Sequence, residues 1–176
     1  YGVPFDNGAV IGAYRTDILE QAGYTTADLT DIDWNRFIEI GKDVKAKTGT
    51  YMLSGQADSP DTIMMMLQSA GASLFDEDGK PAMTDNDALK ECIDIYKTMV
   101  DEGIYLEVNK WDDYVTSITK GSVAGVINGN WIIATIQGME DTAGKWDITN
   151  MPKLIKTPNA TNYSNNGGSS WYITSN

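Results

Sequence analysis

Apolar positions along the chain repeat at two different spacings, and the changes of spacing mark out its elements. In "DIDWNRFIEIGKDVKAKTG", Trp34, Phe37, Ile38, Gly41 and Val44 recur at helical intervals between Asp33 and Gly49, which predicts a surface helix capped by the aspartate and stopped by the glycine. Thr16, "DILEQA" and Gly23 predict a shorter helix of the same kind. Ser59 as cap and Pro60 at the first helical position predict a third, through "SPDTIMMMLQSAG", with Met64 to Met66 as core filler. "TDNDALKECIDIYKTMVDEG" reads as a long amphipathic helix ending at Gly103, its apolar face formed by Leu89, Cys92, Ile93, Tyr96 and Val100. Val123 to Ile127 form instead an unbroken run of small and branched apolar residues, the pattern of a strand buried on both faces. Asn128-Gly129 is turn chemistry, and Asn130 then caps a helix that begins at Trp131 and stops at Gly138. "YMLSG", "WDITNMP" and "GGSSWYITSN" read as further short strands, "FDEDGKPAM" as a hairpin-like turn, and "KTPNATNYSNNGG" as a long exposed loop. The sum is a mixed α/β chain in which a large aromatic, Trp131, stands at a strand-to-helix corner. In open α/β sheets such corners bind ligands, although an indole there also serves simply to cover the end of the core.

Composition narrows the partners. The 176 residues are 41% hydrophobic, enough for one domain with a core. With a formal net charge of −12 and no Lys/Arg cluster, the chain lacks the means to neutralise phosphates, which argues against nucleic acid. No apolar run approaches the length of a membrane span. The first residue is Tyr1, and the opening "YGVPFDNGAVIGAY" reads like the interior of a domain, so a processed or excised piece of a longer chain is expected. The single Cys92 excludes an internal disulfide and reads as a buried structural thiol. Histidine is absent, which removes Ser-His-Asp and Cys-His catalysis and every His-ligated metal site.

Few motifs carry chemistry by themselves. "DEDGK" sets Asp76, Glu77 and Asp78 before Gly79, but the alternating ligand series and distal Glu of a calcium loop are missing, and an ordinary turn is the expectation. The acidic pairs Asp58/Asp61 and Asp112/Asp113 are of the residue type a glycosidase needs, and also of the type that caps helices or faces water. "NNGGSS" precedes a strand with no helix-opening lysine, so it is not a phosphate loop.

The order of segments resembles a known family. "YGVPFDNGAVIGAYRTDILEQAGY", "DIDWNRFIEIGKDVK", "GASLFDEDGK", "ITKGSVAGVINGNW", "WDITNMPK" and "GGSSWYITS" together are similar to the extracellular solute-binding proteins of ABC sugar importers, the maltose-binding-like family. The resemblance runs through almost the whole chain. It departs at Arg15-Thr16, where many members have Asn-Lys, and at Gly125, where methionine is common.

The resemblance implies a type II periplasmic-binding-protein-like lobe, a mixed sheet flanked by helices, with no catalysis, no cofactor and no resident metal. Residues 1–9 would be an inter-lobe crossing strand, 10–165 most of the C-terminal lobe, and 166–176 the return crossing. An N-terminal lobe would lie outside the chain, and the crossing strands would then expose unpaired edges through which molecules self-associate. It further implies a sugar or oligosaccharide ligand, ABC permease subunits as partners, and an extracytoplasmic site of action, lipid-tethered or periplasmic. Residue by residue, Trp131 matches a sugar-stacking platform, followed from Asn130, and Trp111 a second cleft aromatic at a helix start. Asp58, Ser59 and Asp61 match positions that contact sugar in some members, where Ser59 and Pro60 would also aim free helix N–H groups at the cleft. Gly167 and Gly168 match a glycine pair at the return crossing. Helix capping stays open for Asp58, Ser59 and Asp61. A same-fold receptor for a polyamine, phosphate ester or amino acid derivative stays open as an alternative, with a carbohydrate-active enzyme as the third reading.

Overall fold

The structure is a computed structural model that describes residues 1–174; Ser175 and Asn176, the end of the expected last strand, lie outside the described residues. One long strand organises it. β1 (Gly2–Arg15) is bonded along its second half to β4 (Gly125–Gly129) on one side and to β5 (Trp146–Thr149) on the other, antiparallel to both, with Val10 opposite Gly129 and Gly12 opposite Thr149. β2 (Leu53–Gln56) and β3 (Tyr105–Val108) are parallel. A bridge between Tyr51 and Val123, with Ala124 N donating to Tyr51 O and Gly125 N to Met52 O, joins β2 to β4. The strand order is therefore β3-β2-β4-β1-β5, a mixed sheet.

Helices cover both faces. α1 (Thr16–Ala22), α2 (Trp34–Thr48), α3 (Asp61–Ser69) and α4 (Asp87–Asp101) enclose the larger core, where Val10, Tyr14 and Ile127 meet Phe37, Met66 and Met99. α5 (Trp111–Thr119) and α6 (Ile133–Gln137) close the other face over Ala13 and Val126. Burial from both sides is why residues 123 to 127 carry no polar alternation. Tyr14 lies so close to Gly125 that a Cβ at that position would overlap its ring, which accounts for glycine where the resembling family commonly has methionine.

The first half of β1 leaves the sheet and pairs antiparallel with β6 (Asn165–Tyr172), from Gly2 opposite Tyr172 to Ala9 opposite Asn165. The two segments expected to expose unpaired edges pair with each other along one edge of each. Their side chains remain exposed, including Val3, Phe5, Trp171 and Tyr172.

Several local expectations are corrected. Asn128 and Gly129 are not a turn but the last two residues of β4, bonded opposite Ile11 and Val10. Asn130 caps nothing: residues Asn130–Ile132 form a 3-10 turn with Gly129 in the cap position and no side-chain cap bond, and α6 starts only at Ile133. Thr16 is already helical, with Arg15 in the cap position. Pro60 takes the cap position of α3 rather than its first turn, and Ser59 Oγ accepts from Asp61 N at 3.3 Å. Asp33 does cap α2, accepting from Arg36 N at 2.9 Å, and Gly49 ends it in left-handed geometry. The apolar face of α4 is turned by one residue: Ala88, Cys92, Ile95 and Met99 are buried while Ile93 is exposed. The expected loop after residue 156 ends at Ser164, and it is pinned rather than free: Asn162 Nδ2 donates to Ile32 O and Met151 O, both at 2.8 Å. The "DEDGK" segment is a turn in which Asp76 Oδ1 accepts from the N–H groups of Asp78 and Lys80. Among the described residues no cluster of three or more His, Cys, Asp or Glu is arranged to hold a metal ion, and no helix is long and apolar enough to cross a membrane.

Candidate functional site

Trp131 and Trp111 come together. The chain following β4 delivers Trp131 just beyond that strand's carboxyl end, and α5 begins at Trp111, so the two indoles lie side by side with ring centroids 5.8 Å apart and planes at 43°. They are 42% and 44% exposed, far more than the fully covered Trp34 of the core. Tyr114, one turn along α5, continues the aromatic surface inward, its centroid 5.3 Å from that of Trp111.

A concavity opens beside Trp111. Its walls are Ser54, Gly55 and Gln56 from the end of β2, Ser59, Asp61 and Thr62 at the start of α3 with Met65 one turn along it, Ile127 and Asn128 from β4, and Tyr114 beside Trp111 on α5. A second, wider and more open one, about 550 Å³ against about 20 Å³ for the first, lies beyond Trp131 and is lined by Asp6, Asn7, Asn130, Gly167, Gly168 and Ser169. Both are lined by short polar groups and a carboxylate, with no lysine or arginine. Such linings suit a neutral polar ligand and disfavour an anion.

Of the sequence candidates, the structure gathers Trp111, Ser59 and Asp61 on the first concavity and Trp131, Asn130, Gly167 and Gly168 on the second. Asp58 lines neither; it sits exposed in the turn between β2 and α3. Gly167 and Gly168 have φ of 103° and 127°, a conformation that residues with a Cβ rarely adopt, and Gly167 faces Trp131 Nε1.

The residue that sequence reasoning missed is Asn128. Only 6% exposed, it donates from Nδ2 to Tyr114 Oη at 3.0 Å, and its Oδ1 accepts from Gly129 N and from Asn166 Nδ2, each at 2.8 Å. Asn166 O in turn accepts from Trp131 Nε1 at 2.9 Å. Trp131 is therefore oriented through its own polar edge, leaving its face uncovered, and Gly129 leaves room for this: a Cβ there would overlap both the indole nitrogen and the Asn166 carbonyl. Desolvation pushes the Tyr114 hydroxyl well above the usual tyrosine range, an effect the Asn128 amide partly opposes, so it is neutral at physiological pH. The only sequence signal for this network was Asn-Gly itself, which reads as a turn.

Known proteins are similar to the chain in architecture and in sequence. A lactose-binding protein of Rhizobium radiobacter is 45% identical over 173 residues, 98% of this chain and 41% of that protein. An arabinooligosaccharide-binding protein of Halalkalibacterium halodurans is 26% identical over 162 residues, 86% of this chain and 35% of that protein. The chain thus spans well under half the length of either relative. The structure of an ABC transporter associated binding protein from B. animalis subsp. lactis, in complex with beta-1,6-galactobiose, superposes with a TM-score of 0.78 at 24% identity, over 97% of this chain and 42% of that one. The fold held in common is that of type II periplasmic binding proteins. The family model described as bacterial extracellular solute-binding protein matches residues 1–176, the whole length. The chain belongs to the bacterial extracellular solute-binding protein family.

Proposed function

We propose that the chain is the carbohydrate-binding C-terminal lobe of a longer receptor, which captures a sugar or short oligosaccharide outside the cytoplasm and delivers it to an ABC permease. One observation carries the reading: two half-exposed indoles, 5.8 Å apart, beside concavities lined by small polar side chains. A flat indole covers the C–H face of a pyranose, while Ser54, Gln56, Ser59, Asp61 and Asn130 are of the length and type that take hydroxyls. Residues 10–165 form the lobe, and the ribbon of residues 1–9 with 166–174 is the crossing to an N-terminal lobe that supplies the other wall of the cleft. The receptor is free in a periplasm or held at the cell surface by a lipid. It performs no catalytic step.

The 45% identical relative is a lactose-binding protein, so a galactoside disaccharide is the first ligand to test. A second reading, an organic cation such as a polyamine, is favoured by Asp61 and Asp6 beside exposed indoles and by the net charge of −12. Calorimetric titration of the full-length receptor with lactose, galactobiose, maltose and spermidine separates the two. Saturable binding of a neutral sugar supports the first reading; binding of spermidine alone replaces it with the second.

A further inference from the structure

We propose that Tyr114 is a specificity-determining hydrogen-bond donor in the wall of the concavity beside Trp111, and that Asn128 is the positioning residue that directs its proton toward the ligand. The inference rests on the sugar-binding reading and adds to it a residue, a bond and a direction.

The direction follows from donor and acceptor arithmetic. The N–H of Gly129 can only donate, so the Asn128 atom that faces it at 2.8 Å is the carbonyl oxygen. The other end of the amide is then the NH2 group, and it faces Tyr114 Oη at 3.0 Å. An amide NH2 has no lone pair to offer, so Tyr114 accepts in that bond and its own proton points elsewhere. Among the described residues no side-chain or backbone acceptor takes that proton. Tyr114 is 4% exposed, yet it lines the concavity beside Trp111 together with Asp61 and Ser59. A buried hydroxyl with an unspent donor on a residue that lines a polar pocket calls for an acceptor from the ligand, because leaving it unpaired after water is expelled is costly.

The partner is a hydroxyl oxygen of a neutral sugar. Such an oxygen accepts from Tyr114 and still has a proton for a carboxylate such as Asp61, whereas an ammonium group can only donate and would leave the tyrosine proton unpaired. The same amide of Asn128 holds Asn166, whose carbonyl fixes Trp131, so one buried side chain sets both the stacking face and the Tyr114 donor.

The test is a cycle between protein and ligand. Lactose and its monodeoxy analogues, each lacking one hydroxyl, are titrated calorimetrically into the full-length receptor as wild type, Tyr114→Phe and Asn128→Asp. For the wild type one analogue binds about three- to tenfold more weakly than lactose, the size of one net hydrogen bond. Tyr114→Phe binds lactose more weakly by a similar factor and no longer distinguishes lactose from that analogue. Asn128→Asp, which turns the Tyr114 proton back onto the new carboxylate, gives the same loss for the same analogue. A wild type that binds lactose while Tyr114→Phe weakens every analogue by one common factor, or none, makes the tyrosine a packing residue and overturns the inference alone. A wild type that binds no neutral sugar overturns the functional reading and this inference with it.

Discussion

At the level of single residues, the site depends on polar edges more than on packing. Trp131 is held by a bond from its indole nitrogen to Asn166 O, and the room for that bond comes from Gly129. Gly129→Ala is therefore predicted to displace the indole and to cost about 1 to 3 kcal/mol of stability, as overpacking in a dense interior does. Circular-dichroism melting and sugar titration of the variant check this together; an unchanged melting temperature with unchanged affinity would mean that the glycine is incidental. The tryptophans themselves were legible in the sequence because their order and spacing match a family pattern. Asn128 was not. Asn-Gly is a turn signal wherever local chain geometry decides, but here pairing with β1 decided, and the amide's partners lie 14 and 38 residues away. Asp58 was legible only as an acid near a helix start, which is also what an exposed turn residue looks like.

At the level of elements, α4 shows how a buried charge turns a helix. Periodicity of apolar residues alone placed Ile93 inward with Leu89, Tyr96 and Val100; those three do pack at the margin of the core, but Ile93 is exposed and Glu91 occupies the buried face. Its Oε1 accepts from Ile155 N at 2.8 Å and Lys156 N at 2.9 Å, and its Oε2 from Thr157 Oγ1 at 2.8 Å, so the carboxylate ties the segment after β5 to the helix. A hydrophobicity count treats glutamate as outward and so misses this. Burial by itself would raise the Glu91 carboxyl, but the N–H groups of Lys156 and Ile155 and the Thr157 hydroxyl outweigh it and hold it below the ordinary glutamate value. The unfolded chain thus binds the proton more readily than the folded one. The stabilisation is fully present above the ordinary value of 4.5 and is lost as pH falls through the lower folded value. Glu91→Gln is predicted to cost about 1 to 2 kcal/mol at neutral pH, and to flatten the loss of stability below about pH 4.5, because the titrating group is gone. Denaturant titrations of both proteins between pH 3 and 7 check it; parallel curves would contradict it. Elsewhere α2 was readable to its termini, because Asp33 and Gly49 are local signals that tertiary contacts did not override. Cys92 on α4 is fully buried as expected, and burial pushes its thiol up to about 12, so alkylation of the native protein at pH 8 is predicted to be slow and to speed up only on unfolding.

At the scale of the whole molecule, the lobe and the ribbon differ in kind. The lobe has two apolar cores on the faces of one sheet, while the ribbon is tied to the lobe at its base through Asn166 and farther out leaves Phe5 and Trp171, edge to face at 5.6 Å, in solvent. If the ribbon is the crossing to a second lobe, the isolated chain should self-associate through these aromatics; sedimentation velocity checks it, and a monomer at every concentration tested would contradict it. The mixed α/β class was legible because helical periods and buried apolar runs alternate along the chain, but β3 was not: Tyr105–Val108 is a four-residue strand with no alternation or turn signal long enough to mark it. The pairing of β1 with β6 was not, since no local signal links segments more than 150 residues apart. The central claim, that the indole pair is a sugar platform, is tested most directly by calorimetric titration of a neutral disaccharide into the full-length receptor with and without Trp131→Ala. Loss of the platform is predicted to weaken binding by about 1 to 3 kcal/mol, roughly tenfold to hundredfold, with little change in melting temperature. Unchanged affinity with a collapsed melting temperature would make Trp131 a cover for the core and contradict the account.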